Sequence, residues 1–282
     1  MQWRSRRFDK TELDALHPGV PTWMRRPLIR WATAVMELRR TKNGSISRGE
    51  FADPELVQKF ETLTRRSISL LSAFRSSGVH GLYEEMGDEE FLDFIDFLLF
   101  HMAQFGRQGT GVIKRLEDLL HDAGSEWTVG HRNNHISLEK RVAEGVSIGI
   151  SEVIAHSGNA GELLAEAWNA AFGRSPDAEE AYEKAIKAVE AAGASIVTPN
   201  NKRATLGTMV RDMKAQKDWG LDLSAPHADV PVKMAEALWI GQESRHGGNG
   251  YRKPTQAEAE AAVMLAIPLV QWFSSSAISR RA

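Results

Sequence analysis

Apolar residues recur along this chain at helical spacing far more often than they alternate, and that pattern predicts an all-α protein. From Trp23 to Leu38 the stripe is Trp23, Leu28, Trp31, Ala32, Val35 and Leu38, and Asn43-Gly44 in the following Lys42–Ser47 reads as its stop. Asp53-Pro54 offers an N-cap and a proline at the first helical position. The helix it opens carries Leu56, Phe60, Leu63, Ile68 and Leu71 and fades at Ser76-Ser77-Gly78. Another starts near Gly87-Asp88, and Phe91, Phe94, Ile95, Leu98, Leu99 and Met102 give it a stripe wide enough for a central core position. Beyond Gly106 and Gly109, Ile113, Leu116, Leu119 and Leu120 repeat the period.

The pattern breaks at Gly124–Ser137, where Trp127-Thr-Val129 and Ile136-Ser-Leu138 flank a polar centre. Residues 124–138 therefore read as a linker or a small β-hairpin between an N-terminal helical domain, 1–123, and a C-terminal one, 139–282. Helical character resumes from Glu139 to Ala155, then with Leu163, Leu164, Ala167, Trp168 and Ala171, closed by Gly173. Ser175-Pro176-Asp177 predicts a strong start, a serine cap with proline at N1, for a helix ending at Gly193. Leu206, Met209, Val210 and Met213 mark the next, with Arg211, Lys214 and Lys217 toward its end. One more spans 232–244, and Thr255-Gln-Ala-Glu258 is a capping box for a last helix, apolar from Ala261 to Phe273, with Pro268 expected to kink it. Most tryptophans fall on apolar helical faces and are expected in the core; Trp219, in Lys217-Asp-Trp-Gly220, is the exception expected at the surface.

Composition narrows the class. With 42% hydrophobic and 26% charged residues in 282, this is a globular chain of one large or two ordinary domains. The net charge of −2 carries no global nucleic-acid signature. Residues 1–50 nevertheless hold 11 Lys/Arg against 5 Asp/Glu, and residues 51–125 hold 7 against 13. That matched asymmetry favours pairing within the molecule over a phosphate-binding arm. Without cysteine there is no disulfide, thiolate metal site or thiol nucleophile. The N-terminus lacks the apolar core of a signal peptide, and no run reaches the ~20 residues a membrane helix needs, so a cytoplasmic protein that does not engage membranes is expected.

Four stretches carry a resemblance: Ala167–Gly173, Pro176–Glu190, Ala204–Gly207, and Ser244–Gly248 with Ala257–Phe273 behind it. Over about residues 160–275 the chain resembles the abortive-infection C-terminal domain family, a HEPN-like helical module of uncharacterised bacterial proteins. The resemblance implies a helical bundle, phage defence, a dimer, and RNA as partner, with metal-independent cleavage in the family's ribonucleases and no cofactor. There a histidine handles the proton of the 2′-hydroxyl or leaving oxygen while an arginine steadies phosphate charge. It points to His246 and Arg245 as catalytic residues and to Asn249, Arg252 and Lys253 as substrate contacts. The family places the arginine four to six residues before the histidine; here Arg245 is adjacent to it. That departure leaves a second reading open, a non-catalytic helical interaction or scaffold module.

Other patterns carry less. Arg75/His80 and Arg115/His121 have the family spacing, but about two such pairs are expected by chance in this composition. His131 and His135 form an H-x-x-x-H pair, a metal-binding arrangement on a helix, yet Gly130 and Asn133-Asn134 argue for a turn. Gly247, Gly248 and Gly250 follow no strand, which argues against a nucleotide-binding glycine loop.

Overall fold

The computed structural model describes residues 15–40, 46–103, 105, 109–132, 135–201, 203–221, 229–243 and 252–280. Among them are ten helices and three antiparallel strand pairs, so the chain is mostly helical as its periodicity predicts. It divides into two compact units, Met1–Arg141 and Val142–Ala282.

In the first unit, α1 (Thr22–Met36) buries Met24, Leu28, Trp31, Ala32 and Val35 against α3 and α4. The helix stops before Leu38, because the chain turns into β1 (Leu38–Arg40), paired with β2 (Ile46–Arg48). Asn43-Gly44, read as the stop of this helix, lies outside the described residues. Trp23, expected in the core, is 57% exposed, although its indole N–H donates to the Ala123 carbonyl at 3.1 Å.

Asp53 caps α2 (Pro54–Thr64), accepting from the Glu55 N–H at 2.9 Å. The helix ends at Arg65, whose φ of 53° is left-handed, and so does not continue to Ser76; Leu63 and Ile68 are each 64% exposed. The long α3 (Leu71–Ala103) bends at Ser77-Gly78 and at Gly87, where φ values of 60° and 71° at the glycines favour residues without a Cβ. The piece between the bends buries Val79, Leu82 and Tyr83, a helical turn that the sequence pattern left between helices. Its last piece is the unit's core, with Phe91, Phe94 and Leu98 fully buried and Phe60 set edge-on to Phe94 at 5.1 Å.

After α4 (Thr110–Asp122), β3 (Trp127–Arg132) and β4 (His135–Lys140) form a hairpin. Its Trp127, Val129 and Leu138 join the same core, and the Asp96 carboxylate accepts the Leu138 N–H at 2.6 Å. The hairpin is therefore part of the first unit, and the division falls after it, between Arg141 and Val142. Glu139 and Lys140, expected to begin a helix, are strand residues; α5 begins at Glu144.

The second unit comprises α5 (Glu144–His156), α6 (Gly158–Phe172), α7 (Ala178–Val197), α8 (Leu206–Gln216), β5 (Trp219–Leu221), α9 (Val230–Glu243), α10 (Gln256–Ser274) and β6 (Ile278–Arg280). α7 is central, flanked by α6 and α10, while α9 bridges α8 and α10. Asp177 rather than Ser175 caps α7, accepting from the N–H groups of Glu179 and Glu180 at 3.0 Å each. Trp168 is fully buried, 4.2 Å from Phe172 between ring centroids. α10 carries the predicted capping box and runs through Pro268 as one helix. Trp219 is only 6% exposed, because β5 pairs with β6 from the far end of the unit and Arg280 grips Asp218 at 2.6 Å. Among the described residues, no helix is long and apolar enough to cross a membrane.

Candidate functional site

α9 ends at Glu243, and the described chain resumes at Arg252. Of the candidate residues, Arg245, His246 and Asn249 lie outside the described residues, while Arg252 and Lys253 lie within them. The Arg252 guanidinium forks onto Glu258, with N–O distances of 2.8 and 2.6 Å. The same carboxylate accepts the Thr255 N–H at 2.8 Å, as the capping box requires. Glu258 is consequently held down to about 2, first by the Arg252 hydrogen bond and then by the Thr255 backbone. Lys253 reaches Glu179 in the first turn of α7 at 2.6 Å, which raises its pKa. The two described candidates for substrate contact thus sit in ion pairs within the unit. Their side chains are 64% and 73% exposed, so these pairs are weak and open to competition by a ligand anion.

Beside Arg252 lies a cleft of about 370 Å³ between α9 and α10, lined by Tyr182, Leu238, Gly241, Arg252, Glu258 and Leu265 among others. The Tyr182 hydroxyl donates to the Leu238 carbonyl at 3.0 Å. A Cβ at Gly241 would overlap that hydroxyl, so only glycine lets the ring approach α9 this closely. The cleft combines apolar side chains with the Arg252–Glu258 guanidinium–carboxylate pair.

The other arginine–histidine pairs form no comparable site. The bend at Ser77-Gly78 separates Arg75 from His80, and His121 is exposed beside Asp122 at 3.4 Å. His131 and His135 sit on the two paired strands β3 and β4, not on a helical face. No three His, Asp or Glu side chains among the described residues are grouped to hold a metal.

A second groove, of about 660 Å³, opens on another face of α9, between that helix and α8. Thr205, Thr208, Arg211 and Lys214 line one wall, and Glu236 and Trp239 the other. From sequence alone Arg211 and Lys214 read as partners of a helix C-terminus and Trp239 as core. Their spacing of three residues on α8, matched by Glu236 and Trp239 on α9, is the local signal for two facing walls. Comparison of the chain with family models, with characterised proteins and with solved structures finds no match.

Proposed function

We propose that this is an RNA-binding protein of the abortive-infection, phage-defence kind, whose second unit is the HEPN-like module and whose α9–α10 corner receives the RNA. One observation carries the reading: Gly241 and Arg252, from the two flanks of the stretch bearing Arg245, His246 and Asn249, line one cleft. A phosphate entering there meets Arg252, and Lys253 follows it in the chain; the exposed ion pairs of both yield to an anion at little cost. His246 then takes the proton of an attacking 2′-hydroxyl, the new bond from that oxygen to phosphorus displaces the 5′-oxygen, which leaves with a proton from solvent, and Arg245 offsets the charge that develops on the phosphate; no metal enters the scheme. The test is incubation of the protein with mixed RNA in the presence of a chelator, alongside His246→Ala. Cleavage by the wild type alone is expected; equal cleavage by both, or by neither, removes the ribonuclease assignment.

A second reading, a non-catalytic interaction module, is favoured by the internal pairing of Arg252 with Glu258 and Lys253 with Glu179. It predicts that RNA is neither cut nor bound and that Arg252→Gln leaves partner capture unchanged. In the RNA reading, Arg252→Gln weakens RNA retention in a filter-binding assay and lowers its salt dependence. The family-like arrangement further predicts a homodimer, which a monomeric mass by light scattering at micromolar concentration contradicts.

A further inference from the structure

We propose that the groove between α8 and α9 is a separate binding site for a nucleoside 5′-phosphate, with the base against Trp239 and the phosphate drawn to Arg211 and Lys214. The two helices run past each other so that Gly207 abuts Trp239 while, further along, Lys214 meets Glu236 at 2.6 Å. A Cβ at position 207 would come within 2.6 Å of the indole, so the glycine allows α8 to lie against the ring. Trp239 remains only partly buried and lines the groove, and its indole N–H donates to no described residue. An aromatic ring in that state offers a stacking surface that a nucleobase fits irrespective of its identity. The hydroxyls of Thr205 and Thr208 lie at the Trp239 end, where they can serve base or sugar edges.

One helical turn beyond Thr208 comes Arg211, 73% exposed and paired with its neighbour Asp212 at 3.0 Å, and one turn further Lys214. Both cations sit in exposed ion pairs, Arg211 with Asp212 and Lys214 with Glu236, that a phosphate can replace at little cost. A volume of about 660 Å³ falls within the range of small-molecule sites, roughly 300–1,000 Å³. Glu236 is the opposing element. Its carboxylate pairs with Lys214 and competes with an incoming phosphate, so it sets the affinity low.

The site is independent of the α9–α10 cleft, because Trp239 and Glu236 stand on a different face of α9 from Gly241. Its occupant is either a free nucleotide or one unit of a single-stranded RNA. Isothermal titration calorimetry of the full chain with adenosine 5′-monophosphate, with a hexa-adenylate and with ribose 5-phosphate separates these. Adenosine monophosphate binding identifies a free nucleotide, and binding of the hexamer alone identifies a strand. Ribose 5-phosphate, which lacks a base to stack, is expected to bind weakly. Trp239→Ala is expected to weaken binding about five- to hundredfold, the range of one base–aromatic stack, while Trp239→Phe retains most of it.

Arg211→Ala weakens binding without touching the core, and Glu236→Gln tightens it by freeing Lys214, an effect that damage to the fold does not produce. No binding of either nucleotide ligand, equal binding of ribose 5-phosphate, or affinity unchanged in Trp239→Ala, Arg211→Ala and Glu236→Gln alike overturns the proposal. The test reads only the adenosine monophosphate binding that Trp239→Ala removes, so failure of the RNA assignment at the other cleft is read separately.

Discussion

Gly241 and Tyr182 show how much of the α9–α10 corner depends on single atoms. The tyrosine hydroxyl reaches the Leu238 carbonyl only because position 241 has no side chain. Gly241→Ala should push the ring out, break that hydrogen bond and destabilise the protein by about 1–3 kcal/mol, measurable as a lower urea midpoint. Glu190 poses a different local problem. Burial raises its pKa from 4.5, against the smaller pull of the Leu206 N–H that it accepts at 2.6 Å. A carboxyl whose pKa rises on folding binds its proton better in the folded state. Its stabilising contribution is therefore complete below the unfolded value and is lost as pH rises through the folded one. Glu190→Gln keeps an acceptor for Leu206 and removes the buried charge. The variant should melt at an equal or higher temperature than wild type at pH 7, and the advantage should shrink when melting is repeated near pH 4.

Among the elements, β6 is small but decisive. Three residues, Ile278–Arg280, pair with β5, bury Ile278 and bring Arg280 to Asp218 across 62 positions of sequence. Removing residues 278–282 should uncover Trp219, which is 6% exposed, and the expected sign is a red shift of tryptophan emission with lower thermal stability. An unchanged spectrum would mean that β5 is held by other contacts. The α3 bends belong to the same scale. Gly78 and Gly87 have positive φ and open space where a Cβ would go, so backbone conformation, not packing, is what calls for glycine there.

For the whole molecule, each unit has its own core, one centred on Phe91, Phe94 and Leu98 and the other on Trp168, Ala185 and Phe273. The division at Arg141/Val142 predicts that a fragment comprising residues 142–282 folds alone, with helical circular dichroism and one cooperative melting transition. A fragment without a cooperative transition would show that the unit needs the rest of the chain. The proposed RNA cleft and the proposed nucleotide groove both lie within this unit, so the fragment should retain both binding activities.

What the sequence determined by itself is local. Asp53-Pro54 and Thr255–Glu258 start their helices where the residues say they should, because a cap is a contact between groups two or three positions apart. The apolar stripes of Phe91–Met102 and Leu206–Met213 likewise bury the faces their spacing marks. Asp177 in place of Ser175 shows the limit of that reading: both residue types can cap, and the following backbone chose between them. The tertiary structure decided the burial of Trp219 by β6, the attachment of the β3–β4 hairpin to the first core, and the exposure of Trp23. It also decided the pairing of Arg252 and Lys253 with carboxylates and the facing of Trp239 by Arg211. Apart from Arg252 and Glu258, six positions apart, these contacts join residues far along the chain, and contacts at that separation are selected by how whole faces pack, not by neighbours in sequence.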